Sequence, residues 1–217
     1  MGQHIGYAEL MASFLADGPV APRPTRRERE RAGLRETIIE AALRIARAKG
    51  GWDDVTMREI ARVMDYTAAA LYHHFDNKEA LLEAIRRRGY GMLAERFLSI
   101  DEMEPRPRLF AIARHHVDFA FEQPELFMVM FGLRGALLEN SQPVPEQQLV
   151  GSLLDDTFRS LLGNKQLNAP FDDEVDVLWA SLHGIVSVAL FGPLEGGIQR
   201  ARRLCDIAVG HLTGGLA

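Results

Sequence analysis

Between Thr56 and Lys78 the chain reads T-M-R-E-I-A-R-V-M-D-Y-T-A-A-A-L-Y-H-H-F-D-N-K, and this stretch leaves few choices of fold. Thr56 and Glu59 have capping-box spacing, in which hydroxyl and carboxylate satisfy exposed backbone N–H groups reciprocally. Ile60, Ala61 and Met64 then form the inward face of a short helix. Asp65-Tyr66-Thr67 interrupts the apolar rhythm, and Thr67 caps a second helix whose Leu71 and Phe75 lie one turn apart. Ala69, Ala70, Tyr72 and His73 point away from that face. Two short helices, a tight turn and an outward polar-aromatic rim make a helix-turn-helix, whose second helix fits a major groove. Asp76 and Glu79 repeat the capping spacing, so another helix opens there with Lys78 in its first turn.

The flanks extend this head. Tyr7, Leu10, Met11, Phe14 and Leu15 are spaced as one helical stripe, and Pro19, Pro22 and Pro24 make a stiff linker carrying Arg23. Such an arm either reaches a minor groove or lies on the protein or free in solvent. Thr25 and Glu28 offer a further capping box for a helix from about Arg26 to Lys49, which Gly50-Gly51 ends. Ile38, Ile45, Val55, Ile60, Leu71 and Phe75 supply the small core of a three-helix head. The helix from Lys78 runs on to about Ile100, longer than the head needs. Further helical patterns follow over about 107–122, 124–139, 145–162, 172–191 and 195–213, with Pro124 at a favoured first position. No segment sustains two-residue alternation. The expected fold is all-α: an extension over 1–24, a helix-turn-helix domain over 25–88, and an all-helical ligand-binding and dimerisation domain over 89–217, joined by one long helix.

The net charge of -5 is unevenly spread: basic residues bunch at Arg26, Arg27, Arg29 and Arg31 and at Arg86, Arg87 and Arg88, beside the helix-turn-helix, whereas the remainder is acidic. Each cluster reads as a phosphate footprint or as an ordinary solvated face. A single cysteine, Cys205, excludes an intrachain disulfide and suits a reducing cytoplasm. No apolar run approaches the roughly 20 residues that span a bilayer, and the N-terminus lacks the features of a secretory signal. A soluble, cytoplasmic protein without membrane partners is expected.

Three motifs at this spacing, T-M-R-E-I-A-R-V-M, L-Y-H-H-F and D-N-K-E-A-L-L, resemble the tetracycline-repressor (TetR) family of bacterial transcription regulators. The remainder is similar to the family's C-terminal domain with a Trp-x-x-x-His-Gly motif, here Trp179 to Gly184, preceded by Pro-Glu-Leu-Phe-Met-Val-Met-Phe. The resemblance implies a homodimer that binds a palindromic operator and lets go when a small molecule occupies the C-terminal domain. By matching motif positions it implies phosphate contacts from Thr56, Tyr72, His73 and Lys78, and base-edge contacts from Arg58 and from Thr67, Ala68 and Ala69. The chain departs from the family at Asp65, where Gly is usual, and at Ala68, where Lys is common. Methyl groups touch thymine methyls but donate no hydrogen bonds, so readout is expected to rest on Arg58, Tyr66, Thr67 and DNA shape.

In the second domain, His115, Phe119, Phe127, Met128, Phe131, Trp179 and His183 are candidate walls of an adaptable apolar pocket, with His116 a further sparse polar group; the same residues also suit an ordinary core, with His183 packed against Trp179 and Gly184. The adjacent His73-His74 and His115-His116 pairs diverge by about 100° on a helix, so no metal site is expected. A phosphate loop and a nucleophile elbow are absent, so neither an enzyme nor a cofactor is expected. Cys205 reads as a small buried hydrophobe, with redox sensing open only if it is exposed. Val175, Leu178, Leu182 and Val186, with Ile198, Ala201, Leu204 and Ala208, are the candidate dimer stripes of an intermolecular four-helix bundle. A ligand-independent architectural DNA-binding protein and an enzyme with a vestigial head are the competing readings.

Overall fold

The computed structural model describes residues 25–136, 142–163 and 170–214. The stripe over residues 7–17 and the proline arm with Arg23 lie outside these. The described residues form nine α-helices and no strand: α1 (Arg26–Lys49), α2 (Met57–Val63), α3 (Ala68–Tyr72), α4 (Lys78–Leu98), α5 (Pro105–Glu122), α6 (Pro124–Met130), α7 (Pro145–Leu162), α8 (Phe171–Phe191) and α9 (Gly197–Gly214). The fold is all-α.

The chain divides into two compact units, 1–37 and 38–217. In the first, α1 opens with the capping box in full: Glu28 N–H donates to Thr25 Oγ1 (3.3 Å) and Thr25 N–H donates to Glu28 Oε2 (2.6 Å). Arg26 pairs one turn on with Glu30 (2.7 Å).

In the second unit, the C-terminal half of α1 joins α2 and α3 around the expected core: Ile38, Ile45, Val55, Ile60, Leu71 and Phe75 are all buried. Gly50, at φ +69, ends α1 in the left-handed region where glycine lacks a Cβ penalty. Thr56 caps α2 through its hydroxyl (Glu59 N–H to Oγ1, 3.2 Å), but the reciprocal half of the box is not made: the Glu59 carboxylate accepts from Lys49 Nζ instead, at 2.5 Å. A second expectation shifts by one residue. Asn77, not Asp76, caps α4, because its extended backbone lets Oδ1 accept from Ala80 N–H at 2.7 Å.

Beyond the head, α4 packs against α6 and α7, while α5 is central, touching α4, α6, α7, α8 and α9. Close approach of α4 to α6 requires Gly89, where an added Cβ would sit 2.6 Å from Met130 Sδ. Helix α6 is shorter than its pattern suggests, ending at Met130 rather than near 139. Leu133 N–H folds back onto Met128 O (2.8 Å), and Gly132, Arg134 and Gly135 all take positive φ, which a right-handed helix cannot continue. Helix α8 has the length and mean hydropathy (1.4) of a membrane span, although its acidic first turn keeps the apolar stretch from being continuous. It packs along one side on α9 and α5.

Candidate functional site

The helix-turn-helix presents one outer rim. Thr67 ends the turn and caps α3, accepting from Ala70 N–H at 3.2 Å, so that α3 begins on the exposed side. Asp65 takes φ +57, a left-handed conformation that favours glycine, and Tyr66 N–H reaches back to Ala61 O (2.9 Å), which closes the turn. Aspartate tolerates this left-handed geometry better than most residues. Thr56, Arg58, Tyr66, Thr67, Ala69, Tyr72 and His73 are exposed, Ala68 and Lys78 half-buried. Tyr66 and Tyr72 leave almost half of their surfaces in solvent, 46% and 48%, an arrangement with no packing rationale of its own. Lys78 is held inward: Nζ donates to Trp52 O at 2.6 Å, and burial lowers its pKa from the usual lysine value against the pull of Asp53 and Asp54.

The three arginines at 86–88, read as a phosphate footprint or as an ordinary solvated face, are each ion-paired within the fold, and Arg86 is buried. Arg86, only 6% exposed, donates to both Glu83 oxygens and to Gln142 O, Arg87 pairs with Glu146 (2.7 Å), and Arg88 with Glu40 (2.5 Å).

A ring cluster forms where α5, α6 and α8 meet. Phe127 stacks on His183 with centroids 5.2 Å apart, Phe131 lies 4.1 Å from the same ring, and all of these surround His116 together with Trp179, 4.9 Å from it. Four of the expected pocket residues, Phe127, Phe131, Trp179 and His183, are thus brought together, and Met128 is buried on the same short helix. His115 and Phe119 are elsewhere. His115 lines an open groove of about 490 Å³ with Phe110, Arg114 and Asp118, and Phe119 is buried beneath Arg96, whose guanidinium lies 5.4 Å from its ring. Of the two adjacent histidines read as polar groups of the pocket, the cluster takes His116 and not His115. The stripe Leu109, Ile112, Ala113, His116, Val117 and Ala120, all buried on α5, puts His116 inward and therefore His115 outward. Burial, with a smaller contribution from His183, holds the His116 pKa down at about 3, and burial lowers that of His183.

Helix α6 connects this cluster to the head. On one side Glu125, 3% exposed, accepts two hydrogen bonds from Arg47 of α1 (2.7 and 2.9 Å), while its carbonyl accepts from Trp52 Nε1 (3.1 Å). Trp52 N–H donates in turn to Arg134 O (2.8 Å) in the loop after α6.

The candidate dimer stripes need correction. Val175, Leu178, Leu182, Val186 and Ala201 are buried inside a single chain, so they are unavailable to a partner; Ile198, Leu204 and Ala208 are half-buried. The exposed apolar residues of these helices are Val177 (51%), Val188 (45%) and Ile207 (51%). Cys205 is fully buried, and burial pushes its thiol up to about 12, so it presents no reactive thiolate. Among the described residues no three His, Cys, Asp or Glu side chains gather as a metal-holding group.

Two family models match in the order of the fold. Residues 38–85 match the bacterial regulatory proteins of the tetR family, and residues 109–212 match the tetracyclin repressor-like C-terminal domain. The chain belongs to the TetR family. It is 26% identical over 174 residues to the HTH-type transcriptional repressor KstR of Rhodococcus jostii, covering 80% of this chain and 77% of that one. It is 23% identical over 168 residues to the nucleoid occlusion factor SlmA of Vibrio cholerae, covering 76% and 82%. Among solved structures, a protein of unknown function from Rhodococcus sp. RHA1 superposes with TM-score 0.69 at 26% identity, covering 85% of this chain and 95% of that one. AibR in complex with isovaleryl coenzyme A and operator DNA shares the fold, with TM-score 0.57 at 22% identity over 82% and 96% of the two chains. This TetR-family chain is a transcriptional regulator with a helix-turn-helix DNA-binding head and a ligand-binding helical domain.

Proposed function

We propose that the protein is a cytoplasmic, non-enzymatic repressor that binds a palindromic operator as a homodimer and is released by a small, largely apolar effector. Its DNA-binding domain is assigned to residues 25–88 and its effector and dimerisation domain to 89–217, with 1–24 as an extension. The observation that carries this reading is the double attachment of α6: Glu125 holds Arg47 and Trp52 in the head, and Phe127 and Phe131 wall the ring cluster. A molecule entering the cluster moves the same short helix that steadies the head, so the two sites share one element. That the AibR fold accommodates an acyl-thioester ligand and DNA together supports the same division of labour.

On DNA, Arg58 is assigned the base-reading role, by bidentate contact to guanine, with Tyr66, Thr67, Ala68 and Ala69 beside it. Thr56, Tyr72, His73 and Lys78 fix the register on phosphates, Lys78 chiefly through its place at the start of α4. The partner face is assigned to the outer stripe Val177, Ala180, Gly184 and Val188 of α8 with Leu204, Ile207 and Ala208 of α9. Small residues there let helices approach closely, and the apolar surface that one chain leaves in solvent is what a bundle would cover.

A gel-shift titration with the protein's own upstream DNA tests this reading: binding that survives competitor DNA and is lost on adding an apolar compound supports it. A second reading, ligand-independent DNA binding, is favoured by the likeness to a nucleoid occlusion factor. It requires that no compound bound in the ring cluster alters the DNA complex.

A further inference from the structure

His116 is wholly buried and neither ring nitrogen has a hydrogen-bond partner; the buried Nδ1 of His183 is also unpartnered, while its Nε2 lies 3.3 Å from Ser187 Oγ. Buried polar atoms in proteins are nearly always paired, so three unpaired nitrogens on two neighbouring rings point to a group that completes them. The ring centroids are 6.4 Å apart, a spacing at which a single oxygen can reach both imidazoles. We infer that the effector is a small uncharged molecule bearing one hydroxyl or carbonyl oxygen, which His116 and His183 hold between them within the rings of Phe127, Phe131 and Trp179. This inference rests on the ligand-responsive reading above and narrows the chemistry of that ligand.

The choice of an uncharged oxygen follows from what the rings offer. A neutral imidazole supplies one N–H donor and one lone pair, so the pair can both donate to and accept from a hydroxyl, or donate to a carbonyl. Neither ring carries positive charge in this desolvated setting, so a carboxylate or phosphate would enter without a counter-charge. The space beside the cluster is unfavourable to anions as well. Trp179 is shared between the cluster and a cavity of about 240 Å³ whose walls include Val150, Leu154, Val175, Asp155 and Asp176. Asp155 already has its pKa raised, by burial first and by the neighbouring Asp156, Asp172 and Asp176. Drug-sized ligands occupy roughly 300–1,000 Å³, so this space suits a smaller, apolar body.

The test uses the full chain with octan-1-ol, octan-2-one, octanoate and octane as probes near neutral pH. Binding is followed by tryptophan emission, to which Trp179, one of two tryptophans, contributes. Octanol and octanone should bind at least about tenfold more tightly than octanoate and octane, a difference of about 1.4 kcal/mol. His116→Phe should reduce the alcohol to the affinity of the alkane and raise the melting temperature of the unliganded protein, since it removes two unpaired nitrogens. His183→Phe, at a half-buried position, should weaken the alcohol several-fold and carries the comparison if His116→Phe does not fold. Octanoate binding as tightly as octanol, or an alcohol preference that survives both substitutions, overturns the inference, even where some other compound releases DNA. Selective octanol binding that leaves the operator complex intact upholds the site and overturns the ligand-released repressor.

Discussion

Arg58 and the alanines of α3 make opposite contributions at the same rim. Arg58 is exposed on α2 and is the candidate direct reader, whereas Ala69 offers only a methyl group. Arg58→Ala is expected to cost about 1–3 kcal/mol of operator binding and to relax the preference at one base pair, with little loss from Ala69→Gly beyond its helix-propensity effect. Gel shifts on the operator and on single-base variants check this; an unaffected Arg58→Ala beside a crippled Ala69→Gly is the contrary result. His116 couples the stability of the fold to pH. Its pKa falls from 6.5 to about 3 on folding, so between those values the unfolded chain holds a proton that the folded chain lacks. Its contribution to stability is therefore complete above about pH 6.5 and declines as the pH falls towards 3, with His183 acting in the same direction. Urea melts across this range should show acid destabilisation that His116→Phe reduces. The rim residues were legible in the sequence because capping threonines and a two-residue apolar face fix which side of each short helix looks outward. His116 was legible as a polar group of the pocket, but His115 was read beside it, although only one of two adjacent helical residues can face the core.

Helix α6 was legible as to its start, set by Pro124, but not its end. The sequence around Gly132 and Gly135 permits a break, yet only tertiary contact forces Arg134 into φ +46, where its carbonyl can accept from Trp52 N–H. Two substitutions probe how this helix is held. Gly89→Ala would place a Cβ against Met130 and is expected to destabilise the fold by about 1–3 kcal/mol, less if the flexible thioether moves aside. Arg47→Ala would leave the Glu125 carboxylate, 3% exposed, without its partner, whereas Glu125→Gln would leave an arginine that is 62% exposed and still solvated. Arg47→Ala should therefore be the more damaging of the two, on the order of 3 kcal/mol at most, by thermal or denaturant melts. Both variants should also weaken the effect of any ligand on DNA binding, since each loosens the Arg47–Glu125 attachment of α6 to the head and leaves the Trp52 contacts to the Glu125 and Arg134 carbonyls. The Arg86–Arg88 cluster shows the limit of charge counting: the bunching was plain in the sequence, but its partners Glu40, Glu83 and Glu146 are up to 59 residues away.

For the whole molecule, the all-α fold and the order of its helices were legible because each has a cap, a proline start or a glycine stop. The partner-facing surface was not, since α8 is apolar nearly all round and periodicity cannot say which of its stripes a single chain buries. The structure gives Val175, Leu178, Leu182 and Val186 to the chain's own core and leaves Val177 and Val188 in solvent. Val177→Asp together with Ile207→Asp should therefore yield a folded monomer by analytical ultracentrifugation, with operator affinity reduced by at least about 100-fold, because two half-sites are no longer bound together. Footprinting the native upstream DNA with and without octanol separates a dimeric repressor released through the α5–α6–α8 ring cluster from a ligand-indifferent DNA binder. The expected result is two protected half-sites related by a two-fold axis, with centres about 34 Å apart or a multiple of that, and loss of both on adding the alcohol to the unsubstituted protein but not to His116→Phe. Protection without a palindrome, spreading along the DNA as protein is added and indifferent to the alcohol, would contradict it.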